Sequence, residues 1–280
     1  MTRSKTATLF RFGGMTLTGL CATLLSVAAI CCVTPALAIA AEEPHRSPTD
    51  LVLSPDEAWL VSANHTARSL SLLRLSDGAV VHELEIGERP ANVVLLADGH
   101  TLLATTQYGG ELVKLRVAGD KLEKLASLSL RFEPQGIAVT RDGKTAYVAL
   151  SSGSAVAVVD VESLTELQRI PVGLWPRTLA LSPDETRLAV SASGDRGVGV
   201  VDTAKRERLY QADFNALNVG QMQVSNDNKY VYFPWMVYRH NPIDARNIRL
   251  GWVLASRIAR LKLEGPARRE ALSLDPPGEA

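Results

Sequence analysis

Cysteine is nearly missing: the 280 residues contain three, Cys21, Cys31 and Cys32, all near the N-terminus. The rest of the chain therefore has no disulfide framework, no cysteine metal site and no thiol nucleophile. Aromatic residues are scarce at 5%, and neither sign of charge dominates, with 30 basic against 30 acidic residues. A near-neutral chain without a basic run argues against nucleic acid as a partner. No nucleophile elbow, phosphate loop or zinc-protease motif is present. His45, His65, His82, His100 and His240 lack metal-ligand spacing, and no cofactor is expected on this chain. No convincing amphipathic helical pattern follows the N-terminal stretch, which leaves strands.

What is present begins with Arg3, Lys5 and Arg11, then an uncharged stretch from Met15 to Ala41 containing Ala36-Leu37-Ala38. This is the layout of a Sec-type signal peptide cleaved at or just beyond Ala38. The stretch is also long enough to span a bilayer, so an uncleaved N-terminal anchor is the alternative, and the only expected membrane contact. Either way the remainder is expected in the periplasm or outside the cell. Residues 42–49 read as a polar lead, with Glu42 and Glu43 as solvated linker, and 50–280 as the folded domain.

Within 50–280 one segment type recurs five times. Leu53-Ser-Pro-Asp56, Leu95-Leu-Ala-Asp98, Val139-Thr-Arg-Asp142, Leu181-Ser-Pro-Asp184 and Val224-Ser-Asn-Asp227 each precede a second apolar run. The aspartates are spaced by 42, 44, 42 and 43 residues. A polar turn between two short apolar runs is a β-hairpin, and the aspartate is expected to cap the turn's amides, a structural role. Third and fourth runs follow, for example Ala155–Asp160 with Glu166–Ile170, and Gly197–Asp202 with Arg208–Ala212. Four short strands per repeat of about 43 residues is the signature of an all-β propeller built from four-stranded antiparallel blades. Gly197 and Gly199, alternating with valine, are expected to make room for the bulk of a neighbouring blade. Ala271–Leu274 reads as the last strand of blade five, and Asp275–Ala280 stands where earlier units cross to the next blade. The expectation is therefore five blades of an incomplete ring of originally about seven, a truncated product of a longer gene; a closed five-bladed ring is the alternative.

Ala146-Tyr-Val-Ala149, Val156-Ala-Val-Val-Asp160 and Leu181-Ser-Pro-Asp184 resemble the YVTN-type β-propeller repeat family over about residues 48–275. The resemblance implies a fold and leaves the function wide, because such propellers serve as scaffolds, surface modules and accessory domains of redox enzymes. In blade five, Phe233-Pro-Trp-Met-Val-Tyr-Arg-His-Asn-Pro242 with Asn247-Ile-Arg-Leu-Gly-Trp252 is similar to the long loop of propellers found upstream of di-haem cytochrome c peroxidase domains. Those partner domains carry Cys-x-x-Cys-His sites, which this sequence lacks.

Loops joining strands two and three, and the crossovers between blades, gather on one face, where function concentrates. This face is expected to present Asn64, His65, Arg68, Tyr108, Ser191, Asp195 and Arg196 from the turns. The crossovers add Arg89, Gln135, Trp175, Arg177 and Gln221. Blade five adds a loop from Pro234 to Gly251 with Trp235, Tyr238, Arg239, His240, Asn241, Arg246, Asn247 and Arg249. Trp, Tyr and Arg are the residue types of binding hot spots, so this loop reads as a docking patch. The competing reading is a small satellite core of Trp235, Tyr238 and Trp252 under solvated arginines. The expected function is a non-catalytic binding or scaffold module that takes a protein or small ligand on this face. The alternatives are the propeller part of a redox enzyme facing a c-type cytochrome domain, and a lactonase-like hydrolase.

Overall fold

The computed structural model describes residues 45–238, 241–250, 253–265 and 270–273. The stretch read from the sequence as a signal peptide or anchor lies outside them. The described residues belong to one compact unit.

Among the described residues, twenty strands form five four-stranded antiparallel sheets. Blade one holds β1 (Pro48–Leu53), β2 (Trp59–Asn64), β3 (Ser69–Arg74) and β4 (Ala79–Glu85). Blade two holds β5 (Pro90–Leu95), β6 (Thr101–Thr106), β7 (Glu111–Ala118) and β8 (Lys121–Ser129). Blade three holds β9 (Pro134–Val139), β10 (Thr145–Leu150), β11 (Ala155–Asp160) and β12 (Thr165–Pro171). Blade four holds β13 (Pro176–Leu181), β14 (Arg187–Ala192), β15 (Gly197–Asp202) and β16 (Glu207–Asp213). Blade five holds β17 (Gln223–Val224), β18 (Tyr230–Tyr238), β19 (Leu254–Lys262) and β20 (Glu270–Ser273), with a short helix α1 (Ala245–Arg249) between β18 and β19. β1 starts inside the segment read as polar lead.

Every strand-one to strand-two turn is built the same way. The carboxylate of Asp56 accepts the amide of Ala58, Asp98 those of His100 and Thr101, Asp142 that of Lys144, Asp184 that of Thr186 and Asp227 that of Lys229. The residue after the aspartate takes a left-handed conformation each time: Glu57, Gly99, Gly143, Glu185 and Asn228. The short polar side chain closes the turn that this backbone opens.

The strands of blades two, three and four bury both faces, since alternate residues of each meet the blade on either side. One core cluster joins blades one and two through Val61, Leu70, Leu72, Val93, Leu102 and Leu115. A second, with Leu103, Leu112, Ile137, Val148 and Val159, joins two and three. A third, with Tyr147, Val156, Val158, Leu188 and Val201, joins three and four. A fourth joins four and five, where Phe214 meets Phe233 edge-on at 5.1 Å. Among the described residues no such cluster joins blade five to blade one.

Gly197 and Gly199 behave differently from the expectation. A Cβ on Gly197 would lie 2.1 Å from the carbonyl oxygen of Ala212, in the adjacent strand of its own blade. On Gly199 it would meet nothing closer than 3.8 Å. Close backbone approach inside the sheet requires the first glycine, and no neighbouring blade requires the second.

Candidate functional site

The first strands stand innermost, and side chains at fixed offsets before each turn aspartate stitch them together. Six residues before it stand Asp50, Asn92, Gly136, Thr178 and Gln221. Asp50 accepts the Val93 amide at 2.9 Å and a second bond from the Asn92 side chain. Asn92 in turn accepts the Ile137 amide at 2.8 Å. Burial pushes the Asp50 carboxyl above its ordinary value, while these donors pull the other way. At the third interface glycine replaces the relay: a Cβ on Gly136 would lie 2.4 Å from the Arg177 carbonyl oxygen, so the two backbones touch directly. At the fourth, the Thr178 hydroxyl donates to the Gly220 carbonyl at 3.2 Å.

Around this ring opens a cavity of about 560 Å³ lined by all five blades. Thr49 and His65 come from blade one, Asn92 and Gln107 from blade two, Gln135 from blade three, Arg177 and Thr178 from blade four, and Asn218 and Gln221 from blade five and its approach. Arg177 donates from Nε to the Gln135 amide oxygen at 3.2 Å. Seven amide or hydroxyl side chains share the lining with apolar residues such as Ile137, Leu179 and Val219, and among the described lining residues the ionisable side chains are His65 and Arg177.

The rim is aromatic and apolar. Trp175 is 62% exposed, and Tyr108, Leu174 and Phe132 are exposed beside the same crossovers. The Arg89 guanidinium lies over the Tyr108 ring at 3.9 Å, and Arg68 pairs with Glu88 at 3.6 Å. Trp175 has φ 52°, and Ser47, Arg89 and Glu133, also directly before proline, share that left-handed backbone. Asp195 accepts the Leu174 amide at 2.9 Å and so fixes the segment that carries Trp175.

Several expected residues fall elsewhere. Asn64 is buried and donates to Ser69 and Ser71 within its own blade. Ser191 is fully buried and accepts the Thr178 amide at 2.9 Å, which makes it a support beneath the lining. Asp195 is engaged with the crossover and with Gln211 at 3.0 Å. The blade-five loop does not begin at Pro234: β18 runs on to Tyr238, with Pro234 opposite Ile258 and Trp235 opposite Arg257. Proline fits because β17 begins only at Gln223, opposite Tyr232, leaving the edge of β18 at Pro234 without a full ladder, while the Pro234 carbonyl still accepts the Gly220 amide. Trp235 is 8% exposed and packs against Phe214 at 6.2 Å, so it belongs to the core between blades four and five. Asn247 spends its side-chain amide on Pro242 and Asp244, closing the start of α1, and Arg249 is exposed on α1. The backbone of Tyr238 pairs with Leu254. Arg239 and His240 lie outside the described residues, as does Trp252. Thr49, Asn92, Gln107 and Asn218 were missed; for Asn92 the available signal was the mostly polar column six residues before the turn aspartate.

No family model matches the chain. A stretch of 131 residues, 45% of the chain, is 32% identical to the seven-bladed β-propeller protein Rv1057 of Mycobacterium tuberculosis and covers 33% of it. The chain thus matches about a third of that relative's length. Among solved structures it resembles a chain of Kuenenia stuttgartiensis hydrazine synthase, with a TM-score of 0.72 and 21% identity over 82% of this chain and 66% of that one. It also resembles a functionally unknown protein from Desulfotomaculum acetoxidans, with a TM-score of 0.63 and 15% identity over 81% of this chain and 70% of that one. The chain is a β-propeller. Its five antiparallel blades supply the rigid frame on which the axial cavity and its rim stand.

Proposed function

We propose that this propeller is a non-catalytic binding module that works outside the cytoplasm and takes its ligand at the axial cavity and rim of the loop face. The observation that carries the reading is the convergence of amide and hydroxyl side chains from all five blades on one solvent-open cavity. Amides both donate and accept, so Gln107, Gln135, Asn218 and Gln221 suit a ligand rich in hydroxyls or peptide groups. Trp175 and Tyr108 offer flat apolar surface at the entrance.

The test is a thermal-shift screen of the full chain against free oligosaccharides and short peptides. A ligand present at about 100 times its Kd stabilises by about 2.7 kcal/mol. At least one member of either class is expected to raise the melting temperature of the wild type, and to lose that effect with Gln135→Ala and Arg177→Ala combined. No shift from any member, or equal shifts in the variant, overturns the reading. A second reading, a redox assembly that presents this face to a c-type haem domain, is supported by the likeness to a hydrazine synthase chain. It predicts that ferric cytochrome c, titrated calorimetrically, binds the wild type and not the double variant.

A further inference from the structure

The segments that enter blades one to four carry a repeated backbone clamp. The Ser47, Arg89, Glu133 and Trp175 carbonyls accept the His65, Gln107, Ser151 and Ser193 amides at 3.0, 2.8, 3.2 and 3.2 Å. One residue earlier, the Arg46, Glu88, Phe132 and Leu174 carbonyls accept the Thr66, Tyr108, Ser152 and Gly194 amides at 3.2, 3.2, 3.2 and 3.0 Å. Each segment is thus tied twice to the strand-two to strand-three turn of the blade it enters. The residue directly before the proline is held left-handed, with φ between 49° and 56° in all four. Such a backbone persists only where its surroundings enforce it. The geometry is constant while the side chain it presents changes: a hydroxyl, a guanidinium, a carboxylate and an indole.

Glu133 and Trp175, from successive crossovers, border one cleft of about 440 Å³, within the usual size of small-ligand sites of about 300–1,000 Å³. Gln107, Gln135, Arg177 and Asn218 share its lining and also line the axial cavity, so the cleft opens beside it, built by blades two to four and the approach to five. The exposed indole supplies a flat apolar face. The amides, the carboxylate and the guanidinium around it are planar groups that can meet two neighbouring hydroxyls at once. An apolar face bordered by such groups matches a pyranose ring, which has an apolar C–H face and a rim of hydroxyls. One carboxylate and one guanidinium leave the lining without net charge, which suits a neutral sugar. A peptide main chain fits less well, because the crossover carbonyls that could pair with it are spent in the clamp. We propose that this cleft is a subsite for a neutral saccharide, with one pyranose ring stacked on Trp175 and its hydroxyls bonded by Glu133, Gln135 and Arg177. The proposal rests on the loop-face reading and narrows its ligand from hydroxyl-rich or peptide molecules to one class.

The test is a fluorescence and calorimetric titration of the full chain with neutral tetrasaccharides of glucose, mannose, galactose and N-acetylglucosamine. Tetra-alanine and tetragalacturonate stand for the competing classes. At least one neutral sugar is expected to bind saturably and to move the tryptophan emission to shorter wavelength, because the ring it covers leaves water. Trp175→Ala should weaken that sugar about tenfold or more and abolish the emission shift. Trp175→Phe, which keeps an aromatic face, should recover part of the affinity, and both variants should melt like the wild type without ligand, since the indole is exposed. Glu133→Ala should weaken the sugar as well. Sugar binding that survives Trp175→Ala or Glu133→Ala overturns the proposal, as does tighter binding of tetragalacturonate than of any neutral sugar. Tetra-alanine binding that is lost when Gln135→Ala and Arg177→Ala are combined, with no neutral sugar bound, overturns the saccharide assignment and leaves the loop-face reading standing. Binding of no ligand in any class overturns both.

Discussion

The aspartates carry opposite obligations in this fold, and pH separates them. Asp56, Asp142 and Asp227 are held below the ordinary carboxylate value, first by the neighbouring Ser54, Thr140 and Ser225 hydroxyls and then by turn amides. Their contribution is fully present above the unfolded value of about 3.9 and is lost as pH falls through the lower folded value. Asp50 is raised by burial, so its contribution is present at low pH and is lost as pH rises through its folded value. Asparagine keeps the acceptor oxygen and removes the charge in both settings. Asp142→Asn is therefore expected to flatten the acid limb of the stability curve, and Asp50→Asn to match or exceed the wild type at pH 7 while losing that advantage at pH 4. Denaturant unfolding at the two pH values measures both. An Asp50→Asn variant less stable than wild type at pH 7 would show that the charge, rather than the acceptor, holds Asn92 and Val93.

At the level of strands, much was legible in the sequence because the information is local and repeated. β11 and β15 coincide with Ala155–Asp160 and Gly197–Asp202, since a short apolar run between polar turns has little freedom in its ends. The turn aspartates were legible for the same reason. Residues whose role depends on a partner one repeat away were not: Asp50 reaches Val93 and Asn92 reaches Ile137, and nothing near either residue announces it. Asn64 and Ser191 were misplaced because position in a turn-proximal strand does not say whether a side chain faces solvent or sheet. Pro234 was read as the start of a loop, although the shortness of β17 makes a proline harmless in β18. The glycines give a sharp test of the inter-strand geometry. Gly136→Ala forces a methyl group onto the Arg177 carbonyl and is expected to cost about 1–3 kcal/mol, a fall in melting temperature of about 5 °C. Gly199→Ala meets only ordinary contacts and is expected to leave the melting temperature unchanged or slightly raised, through reduced freedom of the unfolded strand. Equal effects of the two substitutions would mean that the inner strands do not approach as closely as described.

At the scale of the whole molecule, the blades form a one-dimensional series in which each interior blade is buried on both faces by its neighbours. Stability in such an array is close to a sum of unit terms and nearest-neighbour terms, so a unit with one neighbour opens first. Blades two, three and four share core clusters with two neighbours each, while blades one and five share one each among the described residues. Amide exchange is therefore expected to be slowest in β10, β11, β14 and β15, whose side chains are almost wholly buried, and fastest in β1 and β20. Uniform protection across all five blades at low concentration would show that the array opens as a single cooperative unit.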